Sequence, residues 1–300
     1  MLRYFEYTFH SCPDQTSNFL DRLFDRYPAV RDCHAGTSVI ARAMHYVSSA
    51  VIERWMIGLW NGEWDRKEQA FGELLVLAAT RQNSTDWAKQ RLETEVSAFE
   101  DCLHVSKDMM LGIAHALSHL WAVPERREAC TDVLVRLIAN SDDELVQPVM
   151  HCLNFADGFL WDDPTQRLLG KIVEHPRILA TLDRARFVGN LAGLLPVGAE
   201  LMCNIVERLV DSVTSANAGQ NFFHDGPELV DIAITLQRLG DPLREQGLLI
   251  FEKLLKLNAY GAKDMLAEID PVSRRRGVVH RPVRRRVSRA RAKTGHNTTA

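Results

Sequence analysis

The chain has 300 residues, a formal net charge of −3 and 46% apolar residues, which fits a globular chain with a sizeable core. No stretch approaches the roughly 18 uncharged apolar residues of a membrane-spanning helix, and the N-terminus lacks the pattern of a secretory signal. The six cysteines are scattered, which is typical of reduced thiols. These features predict a cytoplasmic protein without membrane contact.

Apolar residues recur at steps of three and four along most of the chain, which indicates amphipathic helices. Strand-like alternation is nowhere sustained, so we predict an all-α fold. The first long run predicts a helix within 37–60, whose apolar face comprises Ile40, Met44, Val47, Val51, Trp55 and Leu59. Short breaks carry helix-start signals at Thr85, Pro124, Asp162 and Asp241. The acidic segments 141–144 and 161–164 are interpreted as helix caps rather than cation sites.

The helices can be grouped into pairs of similar length. The units lie near 37–80, 86–122, 125–156, 164–195, 198–239 and 242–269. Repeats of roughly 30 to 45 residues are typical of HEAT and armadillo arrays. We therefore expect residues 1–270 to form a HEAT/armadillo-like α-solenoid of antiparallel helix pairs, followed by a disordered basic tail over 271–300. The alternative is an irregular helical bundle, because the units share no clean consensus.

The beginning of the chain is unusually apolar for the free end of such an array. It contains Leu2, Tyr4, Phe5, Tyr7, Phe9, Phe19, Leu20, Leu23 and Phe24. An outermost repeat needs a polar face toward solvent. We therefore expect this apolar face to pack on another chain or on a domain encoded upstream.

The sequence contains no G-x-x-x-x-G-K-[ST], G-x-G-x-x-G, G-x-S-x-G or H-E-x-x-H motif. His115 and His119 lie one helical turn apart, but zinc needs at least a third ligand, and their helix offers no carboxylate in register. We predict no enzymatic activity, no cofactor and no metal. A metal-dependent enzyme using these two histidines is the alternative.

Four tryptophans lie within 33 residues, at positions 55, 60, 64 and 87. Trp55 and Trp87 fit the helix core. Trp60 and Trp64 fall in or near the turn at 61–62 and are candidates for a partner surface, because tryptophan is enriched at interface hot spots. Core filling is the alternative for both.

The tail carries ten basic residues and no acidic one. They are Arg274, Arg275, Arg276, Arg281, Arg284, Arg285, Arg286, Arg289, Arg291 and Lys293. The other 26 basic residues face 39 acidic ones, which leaves residues 1–270 at −13. Such a tail can contact nucleic-acid phosphates or acidic protein surfaces. It can also fold back on the acidic body or have no function.

Residues 228–270 carry a motif of two helices joined by a short turn. The motif residues are Asp241, Pro242, Arg244, Gly247, Leu248, Phe251, Glu252, Leu254, Leu255, Tyr260, Gly261 and Ala262. The segment resembles the C-terminal helical-repeat ends of large bacterial STAND-type NTPases, which are linked to antiphage defence. The resemblance implies a sensor part of a split or truncated defence NTPase, with the NTPase module as an upstream partner. It carries over no catalytic residue.

The predicted function is therefore a non-enzymatic protein-interaction or sensor scaffold. Its partner would be an upstream NTPase module or a ligand protein. The alternative is a helical-repeat protein that binds nucleic acid through its arginine-rich tail.

Overall fold

A computed structural model describes residues 5–81, 84–101, 103, 106–140, 159–175, 184–214 and 226–269. Every regular element in these residues is a helix, which confirms the all-α prediction. In chain order the helices are α1 (Phe5–Ser11), α2 (Pro13–Arg26), α3 (Pro28–Arg31), α4 (His34–Ala43), α5 (Ser49–Asn61), α6 (Lys67–Ala79), α7 (Asp86–Glu100), α8 (Lys107–Leu120), α9 (Pro124–Asn140), α10 (Asp163–Glu174), α11 (Arg184–Thr214), α12 (Gly226–Gln237), α13 (Leu243–Lys256) and α14 (Ala262–Ile269).

Extensive contacts among the described helices join elements that are close in the chain. Helix α6 packs on α5, α7 and α8, and α9 packs on both α7 and α8. Helix α10 then joins α9 to α11, and α11 to α14 continue the pattern. The most widely separated pair in extensive contact is α1 and α4. The described core is thus assembled by packing each helix on its predecessors.

Two glycines permit the close crossing of α6 and α8. A Cβ atom on Gly112 would lie 2.0 Å from the carbonyl oxygen of Gln69. A Cβ atom on Gly72 would lie 2.5 Å from the carbonyl oxygen of Met109. Any larger residue would force the two backbones apart, so glycine is required by the close approach.

The predicted helix within 37–60 is interrupted in the structure. Helix α4 ends at Ala43, and α5 begins only at Ser49. The backbone N–H groups of Tyr46 and Val47 each donate to the carbonyl oxygen of Ala43, at 2.9 Å, and close a tight turn. β-Branched and aromatic residues weaken a helix interior, and serine favours its N-cap, here Ser48. The apolar spacing therefore continues between α4 and α5, although the backbone there is not helical.

A second break falls between the predicted units 164–195 and 198–239. Helix α11 contains Pro196, and Gly198 inside it has non-helical dihedrals of φ −136° and ψ 36°. Proline removes a backbone donor and clashes with the preceding turn, which kinks a helix. At the predicted boundary between these two units the structure therefore has a kink within one helix.

Most predicted helix starts are confirmed. The side-chain oxygens of Thr85 and Asp162 accept hydrogen bonds from the backbone N–H three residues later, at 3.2 and 3.0 Å. Pro124 opens α9. The prediction for Asp241 is wrong, because the N-cap of α13 is Pro242, which makes no side-chain cap.

The prediction of an open apolar face at the beginning of the chain is wrong for three of its residues. Phe9, Leu20 and Phe24 are at most 1% exposed and belong to the chain's own core. The ring of Phe24 meets that of Trp55 edge-on, with centroids 5.2 Å apart. Phe19, at 52% exposure, does face solvent.

Helix α11 includes a stretch, Arg186–Ser212, that is long and apolar enough to cross a membrane by length and composition. Leu191, Met202 and Val206 within it are fully buried against the rest of the protein. The core helix of a water-soluble protein meets the same criterion, so one such stretch is weak support for membrane insertion.

Candidate functional site

A cleft of about 610 Å³ opens where three parts of the chain meet. It is lined by the turn 44–49, by Thr80 and Arg81 at the end of α6, and by Val123, Glu125 and Arg126 at the beginning of α9. Clefts of this volume are typical of small-molecule sites. The turn that interrupts the predicted helix therefore forms one wall of the cleft.

Arg81 holds this wall in place. Its Nη1 donates a 2.7 Å hydrogen bond to the carbonyl oxygen of Met44, and its Nη2 donates to Oγ of Ser49. Burial, followed by the neighbouring positive charge of Arg126, lowers the pKa of Arg81. Arginine nevertheless stays protonated in proteins, so two guanidinium charges lie close together at the cleft.

Arg126 brings the second charge from the first turn of α9. Its side chain is half-buried, and its Nη1 atom is fully buried without a hydrogen-bond partner. A buried donor without an acceptor costs free energy, and more so when it is charged. Glu125, which also lines the cleft, is exposed.

Aromatic rings flank the cleft beside the two arginines. Tyr46 is 42% exposed, and its ring stacks on that of Phe9 with centroids 6.0 Å apart. The rings of His10 and His45 approach Tyr46 edge-on, each at 6.3 Å. Of these rings, those of His45 and Tyr46 line the cleft together with the two arginines.

His115 and His119 lie together on the exposed face of α8. Their Nε2 atoms are 3.4 Å apart, and Nδ1 of His115 lies 3.2 Å from Oε1 of Glu73 on α6. Their own helix offers no carboxylate in register, and α6 supplies one instead, but it lies at Nδ1 of His115, whereas Nε2 faces His119. Among the described residues, no group of three or more histidines, cysteines and acids could hold a metal ion. Two imidazoles fall short of the three protein ligands of a catalytic zinc site.

Trp60 is half-buried against the core. Its ring centroid lies 4.8 Å from that of Phe71, and the cationic groups of Lys67 and Arg91 lie 5.5 and 5.3 Å from it. These contacts cover the ring with residues of the chain itself, so they favour the alternative that Trp60 fills the core. Its role in a partner surface stays a prediction.

Trp64 is placed differently. It is half-buried, and its indole Nε1 is buried without a hydrogen-bond partner. It lines a second cleft, of about 490 Å³, together with the acidic residues Asp32, Asp65 and Glu73. The structure therefore separates the two tryptophans: Trp60 packs inside the chain, whereas Trp64 borders an open cleft.

Several predicted features lie outside the described residues. They are the tail 271–300 with its ten basic side chains, the acidic segment 141–144, Leu2, Tyr4, and the side chains of Phe5 and Tyr7. The nucleic-acid contact predicted for the tail stays a prediction.

Sequence analysis missed Arg81 and Arg126. They are 45 positions apart in the sequence, and each falls at a helix end where a lone arginine is unremarkable. Only the packing of α6 against the neighbouring elements brings them to one cleft. No family model, curated protein or solved structure matches this chain. The resemblance to the STAND-type repeats thus rests on the motif in 228–270 alone.

Proposed function

We propose that the chain is a non-enzymatic interaction scaffold, an α-solenoid of HEAT-like helix pairs that recognises a protein partner. The observation that carries the proposal is the local pattern of helix contacts. In repeat arrays each unit touches only its neighbours. A closed bundle would instead bring helices that are distant in the chain around one core, and the described helices have no extensive contact of that kind.

Exposed apolar side chains support a partner at the C-terminal end of the described chain. Five large ones, each 40% to 54% exposed, lie on or beside the last three helices: Leu239, Leu248, Leu249, Tyr260 and Leu266. The five residues lie between positions 239 and 266, and an exposed apolar surface is typical of an interaction site when it is contiguous. We name these five residues the C-terminal apolar set.

We further propose that the partner is an NTPase module of the STAND type, or a protein ligand sensed by such an NTPase. The motif that carries the resemblance folds into α13, α14 and the turn between them. A Cβ atom on Gly247 would lie 2.7 Å from the carbonyl oxygen of Ala233, so this glycine is needed for the close crossing of α12 and α13. Gly261 has a φ of +87°, which a larger residue rarely adopts.

The adjacent reading frames provide the first test. A neighbouring frame that encodes a P-loop ATPase supports the proposal, and its product should form a stoichiometric complex with the full chain in size-exclusion chromatography with light scattering. An isolated gene whose product remains a monomer beside every candidate would reject the assignment.

Substitutions then locate the contact. Leu249→Glu places a charge within the C-terminal apolar set and should weaken the complex by roughly tenfold or more. Ile57→Glu is the matched control, because Ile57 is 40% exposed on the distant helix α5. Trp64→Ala tests the surface predicted from the sequence. Equal effects of Leu249→Glu and Ile57→Glu would show that the C-terminal apolar set is not the contact.

A second function, nucleic-acid binding through the tail, is favoured by its ten basic and no acidic residues. Such binding weakens steeply with salt, because each neutralised phosphate releases counterions. The test compares the full chain with a variant lacking residues 272–300 across a salt series. Unchanged affinity in the deletion would remove this function.

A further inference from the structure

We propose that His115 and His119 bind one zinc ion through their Nε2 atoms, and that Glu73 orients the ring of His115 for this task. The sequence predicts no metal, because α8 offers no carboxylate in register as a third ligand. The site has two protein ligands, and water fills the two remaining positions of the ion. It goes beyond the scaffold function and does not depend on it, because no partner contributes a ligand.

The spacing of the two ring nitrogens is the first reason. The Nε2 atoms of His115 and His119 are 3.4 Å apart, which is longer than most hydrogen bonds from an N–H group, at about 2.7–3.2 Å. A tetrahedral zinc ion holds imidazole nitrogens at about 2.0–2.1 Å, so two of them lie about 3.3–3.4 Å from each other. The two imidazoles therefore already have the separation of neighbouring ligands on a tetrahedral ion.

The same spacing selects among metal ions. Square-planar and octahedral ions such as Cu²⁺ and Ni²⁺ hold neighbouring nitrogens at a right angle, which places them only about 2.8–3.0 Å apart for a similar bond length. Mg²⁺ and Ca²⁺ prefer oxygen ligands. Zinc is thus the ion that both the type of ligand and the separation of the ligands favour.

Glu73 determines which nitrogen of His115 carries the hydrogen. Its Oε1 lies 3.2 Å from Nδ1 of His115. A carboxylate accepts hydrogen bonds and does not donate them, so Nδ1 carries the hydrogen, and in the neutral ring Nε2 keeps its lone pair. Metal-binding histidines usually donate their other ring N–H to such an acceptor, which fixes the tautomer and the ring orientation. Glu73 therefore occupies the position that a metal-binding histidine requires of its partner.

Two packed helices support the site. His115 and His119 are one turn apart on α8 and share a face. The close approach of α8 to α6 at Gly112 and Gln69 lies about one turn before His115 on one helix and before Glu73 on the other. Both histidines are exposed, so water can reach the ion. A catalytic zinc has three protein ligands, and we therefore assign no catalysis to this site.

The test uses the untagged full chain and zinc chloride, with a chromogenic chelator as the competitor. His115→Asn and His119→Asn should each weaken zinc binding at least tenfold, because one of two protein ligands is lost. His175→Asn is the matched control, because it removes an imidazole at the end of α10, and it should bind as the wild type does. Anomalous scattering at the zinc edge from a soaked crystal then locates the ion.

Cobalt substitution identifies the ligands. Cobalt bound by two imidazoles and water gives a spectrum without the strong charge-transfer band of a thiolate ligand, which separates this site from the six cysteines. Thermal unfolding without metal should shift little in the histidine variants, because both side chains are exposed. A loss of zinc binding in these variants would then not result from a loss of the fold.

Two variants test the positioning role of Glu73. Glu73→Ala should weaken zinc binding by about tenfold, the lower end of the usual effect of losing such an acceptor, because the side chain is 38% exposed. Glu73→Gln should retain part of the affinity, because its amide oxygen still accepts from Nδ1 of His115. Equal zinc binding by Glu73→Ala and the wild type would overturn the role given to Glu73.

Three results would overturn the zinc site itself. The first is equal zinc binding by the wild type and by the double variant His115→Asn/His119→Asn, which would leave the two rings joined only by a hydrogen bond. The second is an equal loss of affinity in His175→Asn and His119→Asn, which would indicate unspecific binding to histidines. The third is a cobalt spectrum dominated by thiolate ligands, which would place the bound ion at the cysteines.

Discussion

Nη1 of Arg127 donates a 2.9 Å hydrogen bond to Oδ2 of Asp162 and so joins α9 to the N-cap of α10. Arg127 is 8% exposed, and its guanidinium lies 5.1 Å from the ring centroid of Trp121. Oδ1 of the same carboxylate accepts from the backbone N–H of Thr165. A single aspartate thus compensates a buried cation and caps a helix.

Asp162→Ala should lower the free energy of unfolding by about 2–4 kcal/mol, because it removes the cap and leaves Arg127 buried without its counter-charge. The loss should stay below the upper end of that range, because the Asp162 side chain is 35% exposed and solvent screens its charge. Urea denaturation provides the measurement. The control is Asp163→Ala, whose side chain is 75% exposed and which should cost less than about 1 kcal/mol. Equal losses in the two variants would contradict the role given to Asp162.

Gly112→Ala should destabilise the protein by about 1–3 kcal/mol, the usual cost of overpacking. Its new methyl group would lie 2.0 Å from the carbonyl oxygen of Gln69, so α6 and α8 must separate. Gly170→Ala, inside α10, is the matched control, because nothing lies within 4 Å of its added Cβ. That change should stabilise the protein by about 0.5–1 kcal/mol through helix propensity. The unfolding temperature should fall for Gly112→Ala and rise for Gly170→Ala. Shifts of the same sign would contradict the close approach of α6 and α8 at Gly112.

Local features were predictable from the sequence because they depend on neighbouring residues. The helical class follows from apolar spacing, and the caps at Thr85 and Asp162 follow from side chains that accept a nearby N–H. The break after Ala43 was not predictable in this way, because Met44 and Val47 continue the apolar spacing and stay buried through the turn. Apolar periodicity records which side chains are buried, and it does not record whether the backbone between them remains helical.

The candidate site was beyond the reach of sequence analysis for a related reason. Arg81 and Arg126 belong to helices that approach each other only through tertiary packing, and no motif spacing links them. Trp60 shows the same limit in the opposite direction. Its position beside a turn indicated an exposed ring. In the structure, Lys67 from α6 and Arg91 from α7 contact that ring.

Acid should weaken the link between α7 and α9. The hydrogen bond from Arg136 is the main cause that lowers the pKa of Glu93, and burial partly opposes it. A carboxylate whose folded pKa lies below its unfolded value of about 4.3 stabilises the fold above that pH and loses this contribution as the pH falls through the folded pKa. The contribution should stay below about 1 kcal/mol, since the Glu93 side chain is 61% exposed.

Glu93→Gln should therefore lower the unfolding temperature slightly at pH 7, and this effect should disappear as the pH falls through the folded pKa, below which the wild-type carboxylate is also neutral. Unfolding curves across this pH range provide the measurement. Arg136→Gln is the background for a double-mutant cycle, in which Glu93→Gln should have little further effect. A loss at pH 7 that persists unchanged in that background would show that the pair does not cause it.

Three of the described cysteines, Cys12, Cys130 and Cys203, should differ sharply in reactivity. Burial raises the pKa of Cys130 to about 12, and burial together with Glu207 raises that of Cys203 to about 11, whereas Cys12 is exposed. The thiolate is the reactive form, so iodoacetamide at about pH 8 should modify Cys130 and Cys203 at least a hundredfold more slowly than Cys12. Peptide mass spectrometry after timed labelling reports each residue separately, and labelling in urea serves as the control in which all three should react at similar rates. If Cys130 in the native protein reacted as fast as Cys12, α9 would have to open often enough to expose its inner face, and its packing against α7 and α8 would be weaker than the structure shows.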